Sequence, residues 1–309
     1  MNRKTQLLGI DVGTSGLKAV LLDSAGALVD EAGIPYGTAT PSPGWTEQDP
    51  NDWWEALRLA LRTLWERGAD PRTVAAIGLT GQMHSLVLTG RDGTSRCPSI
   101  LWSDGRTLAE CRAITRLVGE DRLTSLTGNR ALAGFTAPKI LWVRRHWPEA
   151  LAGATHLFLP KDAVRFRMSG VAATDMSDAS GTLLFDTGRR SWSLELAQEL
   201  GVDSALLPPC FEGTDIVARV SAEAGAVLGL VPGTPIVAGG GDNAAAAVGL
   251  GAVDPGVLTL SIGTSGVVLA PLERYPGRPD GTVQVHLATS THLHRGRDQV
   301  EGAQVCSLT

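Results

Sequence analysis

Asp11 closes an apolar run and is followed at once by Gly13, Thr14, Ser15 and Gly16. A carboxylate, two hydroxyls and glycines that let backbone N–H groups come close are what a polyphosphate and its metal need. An ordinary polar hairpin would use the same residue types. The pattern occurs again near the other end of the chain, where Gly263, Thr264, Ser265 and Gly266 repeat residues 13–16. Two copies imply two similar half-molecules, each offering one hairpin to one polyphosphate. Ser261 stands where the first copy has Asp11, so the halves are chemically unequal.

Asp242 is the second focus. It follows Gly239, Gly240 and Gly241 and precedes Asn243 and a run of alanines. An aspartate in front of alanines reads as a helix N-cap. The glycines strip side chains from the approach, which a cap does not require. A carboxylate open on one side at a strand end can take a proton from an incoming hydroxyl. Such a base, lying between the two hairpins in sequence, suits phosphoryl transfer, where positioning and charge neutralisation supply most of the rate.

Other chemistries are excluded. No Gly-Lys pair occurs, so there is no Walker-type loop. Gly249 and Gly251 lack a third glycine, Asp254 standing there, and follow a helical stretch, so a dinucleotide fingerprint fails. No Gly-x-Ser-x-Gly elbow is present. His286, His292 and His294 cluster without a suitably spaced cysteine or carboxylate and read as a solvated tail. Cys97, Cys111, Cys210 and Cys306 form no C-x-x-C and are expected to be free thiols of a cytoplasmic protein. A net charge of −5 without a basic block argues against nucleic acid, and no apolar run reaches membrane-spanning length.

The elements that must position these residues are those of an α/β chain of 309 residues, long enough for one large domain or two ordinary ones. The apolar runs on either side of residues 13–16 predict two strands, and residues 27–36 a third. Asp49 and Pro50 predict a helix start, Trp53, Leu57, Leu61 and Leu64 its buried stripe, and Gly68 its end. A strand over 74–79 follows, with 83–88 and the turn at Asp92 continuing it as a hairpin. Helical patterns lie at 107–118, 138–147 and 194–200, and another ends near 227–230. A short strand over 236–238 leads through the glycines into a helix after Asp242.

With these residues in view the chain resembles the FGGY carbohydrate kinases over residues 7–281. The resemblance rests on Asp11-Val-Gly-Thr-Ser-Gly-Leu-Lys18, Trp45-Thr-Glu-Gln-Asp-Pro50, Gly81-Gln-Met-His84 and Leu101-Trp-Ser-Asp-Gly-Arg106. It continues through Gly134-Phe-Thr-Ala-Pro-Lys139, Leu159-Pro-Lys-Asp162, Asp175-Met-Ser-Asp-Ala-Ser-Gly181 and Gly239-Gly-Gly-Asp-Asn243. Each motif alone is weak, and the ordered set is specific. The resemblance implies an actin-like, ribonuclease-H-like α/β fold, its first lobe complete and its second only begun. It implies a kinase moving the ATP γ-phosphate to the C5 hydroxyl of D-xylulose, with Mg²⁺ as cofactor, and it allows a homodimer. Asp242 corresponds to the general base, and Asp11 with Asp242 to the metal-holding carboxylates. Met83, His84, Trp102, Asp242 and Asn243 correspond to sugar contacts. Asp11, Gly13, Thr14, Ser15, Lys18, Gly263, Thr264 and Ser265 correspond to the nucleotide site. His84 also reads as a buried core histidine and Trp102 as core. Lys139 and Lys161 are expected to be structural.

The expected division is a sugar-binding domain over 1–252, the start of an ATP-binding domain over 253–281 and an atypical tail over 282–309. The tail has neither helical nor strand periodicity, which a shifted or prematurely ended reading frame would explain. Two functions stay open from sequence. One is a sugar kinase, inactive as this chain alone because the adenine pocket is missing. The other is a non-catalytic actin-like module that binds sugar or nucleotide.

Overall fold

The computed structural model describes residues 5–262, 266–272, 284–287 and 304–307. Alternation of buried and open positions builds its centre. Leu8, Ile10 and Val12 of β1 (Gln6–Val12) and Leu17, Ala19 and Leu21 of β2 (Gly16–Asp23) are buried on one face. The two strands pair antiparallel, with Asp11 opposite Lys18, and β3 (Leu28–Pro35) pairs antiparallel with β2. A strand with one apolar and one mixed face packs a core on one side and leaves the other side free for a ligand.

The core side is closed by α1 (Pro50–Glu66). Asp49 caps it by accepting from the Asn51 N–H at 2.9 Å, and Pro50 stands at the first helical position, as the sequence predicts. Trp53, Leu57, Leu61 and Leu64 of α1 are buried in one cluster with the inward residues of β1 and β2. β4 (Val74–Gly81) then pairs parallel with β1, and two later strands extend the sheet. These are β5 (Ile216–Arg219) and β6 (Pro235–Val237), in the order β5-β6-β4-β1-β2-β3, with β7 (Gly240–Gly241) also pairing parallel with β4. The mixed sheet with helices packed on it is the α/β fold the sequence implies.

A second cluster lies over residues 86–206 and includes Phe135, which caps the helix Thr136–His146, and Ile140, Trp142 and Val143 within that helix. Arg106 is fully buried beside it, paired with Asp104 and Glu47 at 2.7 Å each, and its guanidinium lies 4.0 Å from the Trp45 ring and 4.9 Å from Trp142. Burying a guanidinium requires both carboxylates and aromatic faces. That pairing accounts for the motif residues Trp45, Glu47, Asp104 and Arg106.

Two expectations are corrected. Residues 83–88 do not continue the main sheet as a hairpin: Val87–Thr89 pairs antiparallel with His156–Phe158, and Met83 and His84 sit in the turn before it. The turn at Asp92 does close a short hairpin, with Thr89 bridged to Ser95 and the Arg96 N–H on the Leu88 carbonyl, but it stands apart from the main sheet. Nor does Asp242 cap its helix. Gly241 is the cap and Asp242 the first residue inside Asp242–Gly249. The helices Glu120–Thr127, Pro160–Ser169 and Met176–Ser180 have no counterpart in the sequence reading. Thr259–Ile262 and Gly266–Leu269 pair antiparallel, as the repeated hairpin predicts. Gly263, Thr264 and Ser265 lie outside the described residues, as do His292, His294 and the side chains of His286 and Cys306. Cys97, Cys111 and Cys210 are free thiols.

Candidate active site

Three parallel strands end together. Asp11 of β1 and Gly240 of β7 both stand beside Thr80 of β4, and Val12 and Gly241 both stand beside Gly81. Asp242 follows directly, so Asp11 and Asp242 reach the same carboxyl-terminal edge of the sheet. Ligands of α/β sheets bind outside that edge. The glycines are needed here. Gly239 has φ +84, and a Cβ on it would lie 2.0 Å from the Leu79 carbonyl oxygen; a Cβ on Gly241 would lie 2.7 Å from the Met83 sulfur.

A cleft of about 420 Å³ opens on the uncored face, with Asp11, Lys18, Thr80, Gly239, Gly240 and Val248 in its wall. Asp11 is half-buried, and burial raises its carboxyl above the usual range while Lys18 pulls it back. Its Oδ1 is buried with no hydrogen-bond partner among the described residues. The Asp242 carboxyl is pushed up to about 6 by burial, lowered again by the Asn243 N–H at 2.7 Å and raised by the Asp11 charge. A carboxylate titrating near neutral pH, not used as a cap, has the properties of a general base.

The sugar-contact candidates converge on the same edge by different routes. Met83 is buried against Gly241. His84 has φ +66, and its Nδ1 lies 2.7 Å from the Gly181 carbonyl oxygen. A carbonyl only accepts, so Nδ1 carries a proton. The ring is half-buried and packs edge-on to Phe135 at 4.9 Å, so it is not the fully enclosed core histidine of the alternative reading. The His84 carbonyl accepts from Thr136 Oγ1 at 3.0 Å and from Lys139 Nζ at 3.2 Å. Lys139 is fully buried and also donates to the Phe135 carbonyl at 3.1 Å and to the Gly134 carbonyl; burial pushes its pKa down to about 7. Trp102 is 38% exposed, which is not core, and its indole N–H donates to Thr14 Oγ1 at 2.9 Å. Asn243 stands half-buried in the first turn after Asp242. Lys18 lies across β2 from Asp11 and pairs loosely with Glu31 at 3.4 Å.

Several residues near the site had no role assigned from sequence. Gln48 and Gln82 sit inside quoted motifs, and both are buried carboxamides beneath the turn at 13–16. Buried ions sit behind Asp242. Lys161 lies at 2.7, 2.8 and 3.0 Å from Asp162, Asp175 and Asp178, and Arg165 lies 2.8 Å from Asp162. Arg165 also donates to the Ala238 carbonyl at 2.6 Å, and Ser177 Oγ accepts from the Gly241 N–H at 2.9 Å. Asp175 accepts from the Ser177 hydroxyl at 2.5 Å, so the cluster grips both ends of the glycine segment. Two cations face three carboxylates, and burial raises the Asp178 carboxyl well above its ordinary range while Lys161 pulls it back.

This chain belongs to the FGGY family of carbohydrate kinases: residues 6–249 match the N-terminal domain of that family. Within it, the chain is 41% identical over 276 residues to a xylulose kinase of Escherichia coli, covering 89% of this chain and 56% of that protein. A xylulose kinase of Bacillus subtilis is 40% identical over 265 residues, with 85% and 53% covered. Among solved structures, a xyloylose kinase from Brucella ovis superposes with a TM-score of 0.87 at 36% identity, covering 97% of this chain and 60% of that one. The chain thus spans a little over half the length of these relatives. No helix among its described residues is long and apolar enough to cross a membrane.

Proposed function

We propose that the protein carries the sugar-binding half of a kinase that transfers the γ-phosphate of ATP to the C5 hydroxyl of D-xylulose, giving D-xylulose 5-phosphate. Residues 1–252 serve as the sugar-binding domain and 253–281 begin the ATP-binding one. The observation that carries the reading is the shared strand edge, where the near-neutral Asp242 stands beside Asp11 and outside any cap. Asp242 takes the proton of the attacking hydroxyl. Met83, His84, Trp102 and Asn243 hold the ketose. The turn at 13–16 receives a phosphate on Thr14 and Ser15, with Lys18 adding positive charge at the cleft wall. Gly263, Thr264 and Ser265 serve the same purpose from the second hairpin.

The residues fit a magnesium ion brought in with the nucleotide. Mg²⁺ is usually held by one or two carboxylates together with substrate phosphates, and Asp11 offers a buried, unpartnered Oδ1 with Asp242 close by. When bound, the ion neutralises phosphate charge. The proposal is tested with the chain extended by the residues through which the relatives exceed it. ATP-dependent formation of a 5-phosphate from D-xylulose, faster than from other ketoses and polyols, is the expected result. Preference for a substrate lacking a terminal CH₂OH would refute it.

A further inference from the structure

The turn at 13–16 has each of its carbonyl oxygens occupied, those of residues 13–15 by groups behind it. The Gly13 carbonyl accepts from the Tyr36 hydroxyl at 2.5 Å and from Gln82 Nε2 at 3.4 Å. The Thr14 carbonyl accepts from Gln48 Nε2 at 2.7 Å. The Ser15 carbonyl accepts from the Tyr36 N–H at 3.3 Å, and the Gly16 carbonyl from the Gly13 N–H at 3.1 Å. By contrast, the N–H groups of Thr14 and Ser15 donate to no other described residue. The turn is sorted, with its carbonyls satisfied and the Thr14 and Ser15 N–H groups left to donate.

The directions are not arbitrary, because two groups in the network can only donate. A carboxamide presents an oxygen and a nitrogen of nearly equal size, so its orientation must be fixed by partners of a single kind. Trp53 supplies one: its indole N–H donates to Gln48 Oε1 at 3.0 Å inside the core. The Gln48 NH₂ must then face the Thr14 carbonyl and Thr38 Oγ1, the latter at 3.0 Å. Gln82 Nε2 donates to the same Gln48 Oε1 at 3.0 Å, which leaves Gln82 Oε1 to accept from the Ser85 hydroxyl at 3.1 Å. Ser85 Oγ in turn accepts from the Trp102 backbone N–H at 3.0 Å. The second donor-only group is the Trp102 indole on Thr14 Oγ1. With that lone pair taken by a donor, the Thr14 hydroxyl keeps its own proton to give elsewhere.

We propose that Gln48, Gln82 and Tyr36 are positioning residues for the nucleotide phosphate, with the indoles of Trp53 and Trp102 setting their direction, so that the turn meets an anion only with donors. The inference rests on the reading of residues 13–16 as a phosphate site and adds residues that no motif role had included. A preorganised donor array of this kind spends no free energy on reorientation when the anion arrives. Burial and the nearby charges of Asp11 and Asp52 raise the Tyr36 phenol above its ordinary value, so it too stays a donor at any ordinary pH.

The test uses the 309-residue chain, labelled for nuclear magnetic resonance and titrated with ATP and Mg²⁺ into the millimolar range. In the wild type the amide signals of Thr14 and Ser15 are expected to move on titration. Gln48→Met, which removes the donor without adding charge, is expected to weaken the apparent affinity at least tenfold. Trp53→Phe keeps an apolar ring, lets the Gln48 carboxamide rotate, and is expected to weaken it about threefold. In both variants the signals of His84 and Asp242 should respond to D-xylulose with affinities within twofold of wild type, which a general loss of structure would not allow. If the wild-type turn signals move and both variants bind ATP within twofold of wild type, the positioning role is overturned and the phosphate site stands. If the wild-type turn signals do not move, the phosphate site itself is wrong and the inference falls with it. Should Gln48→Met not fold, Trp53→Phe and Gln82→Met decide by the same criterion.

Discussion

The turn at 13–16 and the segment at 238–242 leave the sheet on either side of Gly81, yet they are held by different chemistry. Neutral donors hold the turn: a phenol, two carboxamides and two indoles. The other segment is held by a buried ionic cluster in which Lys161 and Arg165 face Asp162, Asp175 and Asp178. The difference follows from what each must present. A turn proposed to receive phosphate gains from N–H and O–H groups. A residue proposed as a base must itself carry charge, so its support has to be rigid. Ion pairs that are fully desolvated are costly to break, which makes them suited to fixing a backbone rather than to binding a ligand.

Breaking the stronger support should show this most clearly. Lys161→Met leaves Asp162, Asp175 and Asp178 with Arg165 as the remaining cation of the cluster, and removing one partner of a buried ion pair costs about 3–5 kcal/mol. Chemical denaturation should register a loss of that size; a loss comparable to a surface substitution would mean the cluster is hydrated. Ser177→Ala is gentler. It leaves the Gly241 N–H buried without its acceptor, a cost of about 1–3 kcal/mol, while Ser177→Thr, which keeps the hydroxyl, should restore most of it. Equal stability of the two variants would remove Ser177 from the support of Asp242. The smallest effect is expected at the sugar. His84→Ala should weaken D-xylulose binding by about 0.5–1.5 kcal/mol, the value of one neutral hydrogen bond, with nucleotide binding unchanged. Calorimetry with both ligands decides it, since equal losses would make His84 a support of the fold.

These supports were unequally visible in the sequence. The hairpin of β1 and β2 and the helix α1 were legible because their signals are local: glycines in the turn, Asp49 and Pro50 at the helix start, and leucines at helical spacing. The helix Pro160–Ser169 was not, because Lys161, Asp162 and Arg165 look like a solvent-facing run and are buried only through partners supplied by other segments. Residues 83–88 misled only in part: the turn at Asp92 closes a short hairpin, but Val87–Thr89 also pairs with His156–Phe158 and not with the main sheet. Asp242 and Asp11 were legible as chemistry, although the cap geometry that separates the two readings of Asp242 exists only in three dimensions. Gln48 and Gln82 stood in plain view inside motifs. A glutamine buried for its orientation looks no different in sequence from any other.

The central claim, that Asp242 is the proton acceptor, is tested most directly by the pH dependence of phosphoryl transfer in the extended protein, compared between wild type and Asp242→Asn. Only the ionised carboxylate can accept the proton, and its pKa is raised to about 6. Wild-type turnover should therefore climb as pH rises through about 6 and level off above it. Asp242→Asn should lower the plateau by about two to four orders of magnitude, the usual range for loss of a general base, and abolish the rise near 6. A variant that keeps near-normal turnover, or that retains the same rise, would contradict the account and place the proton on another group.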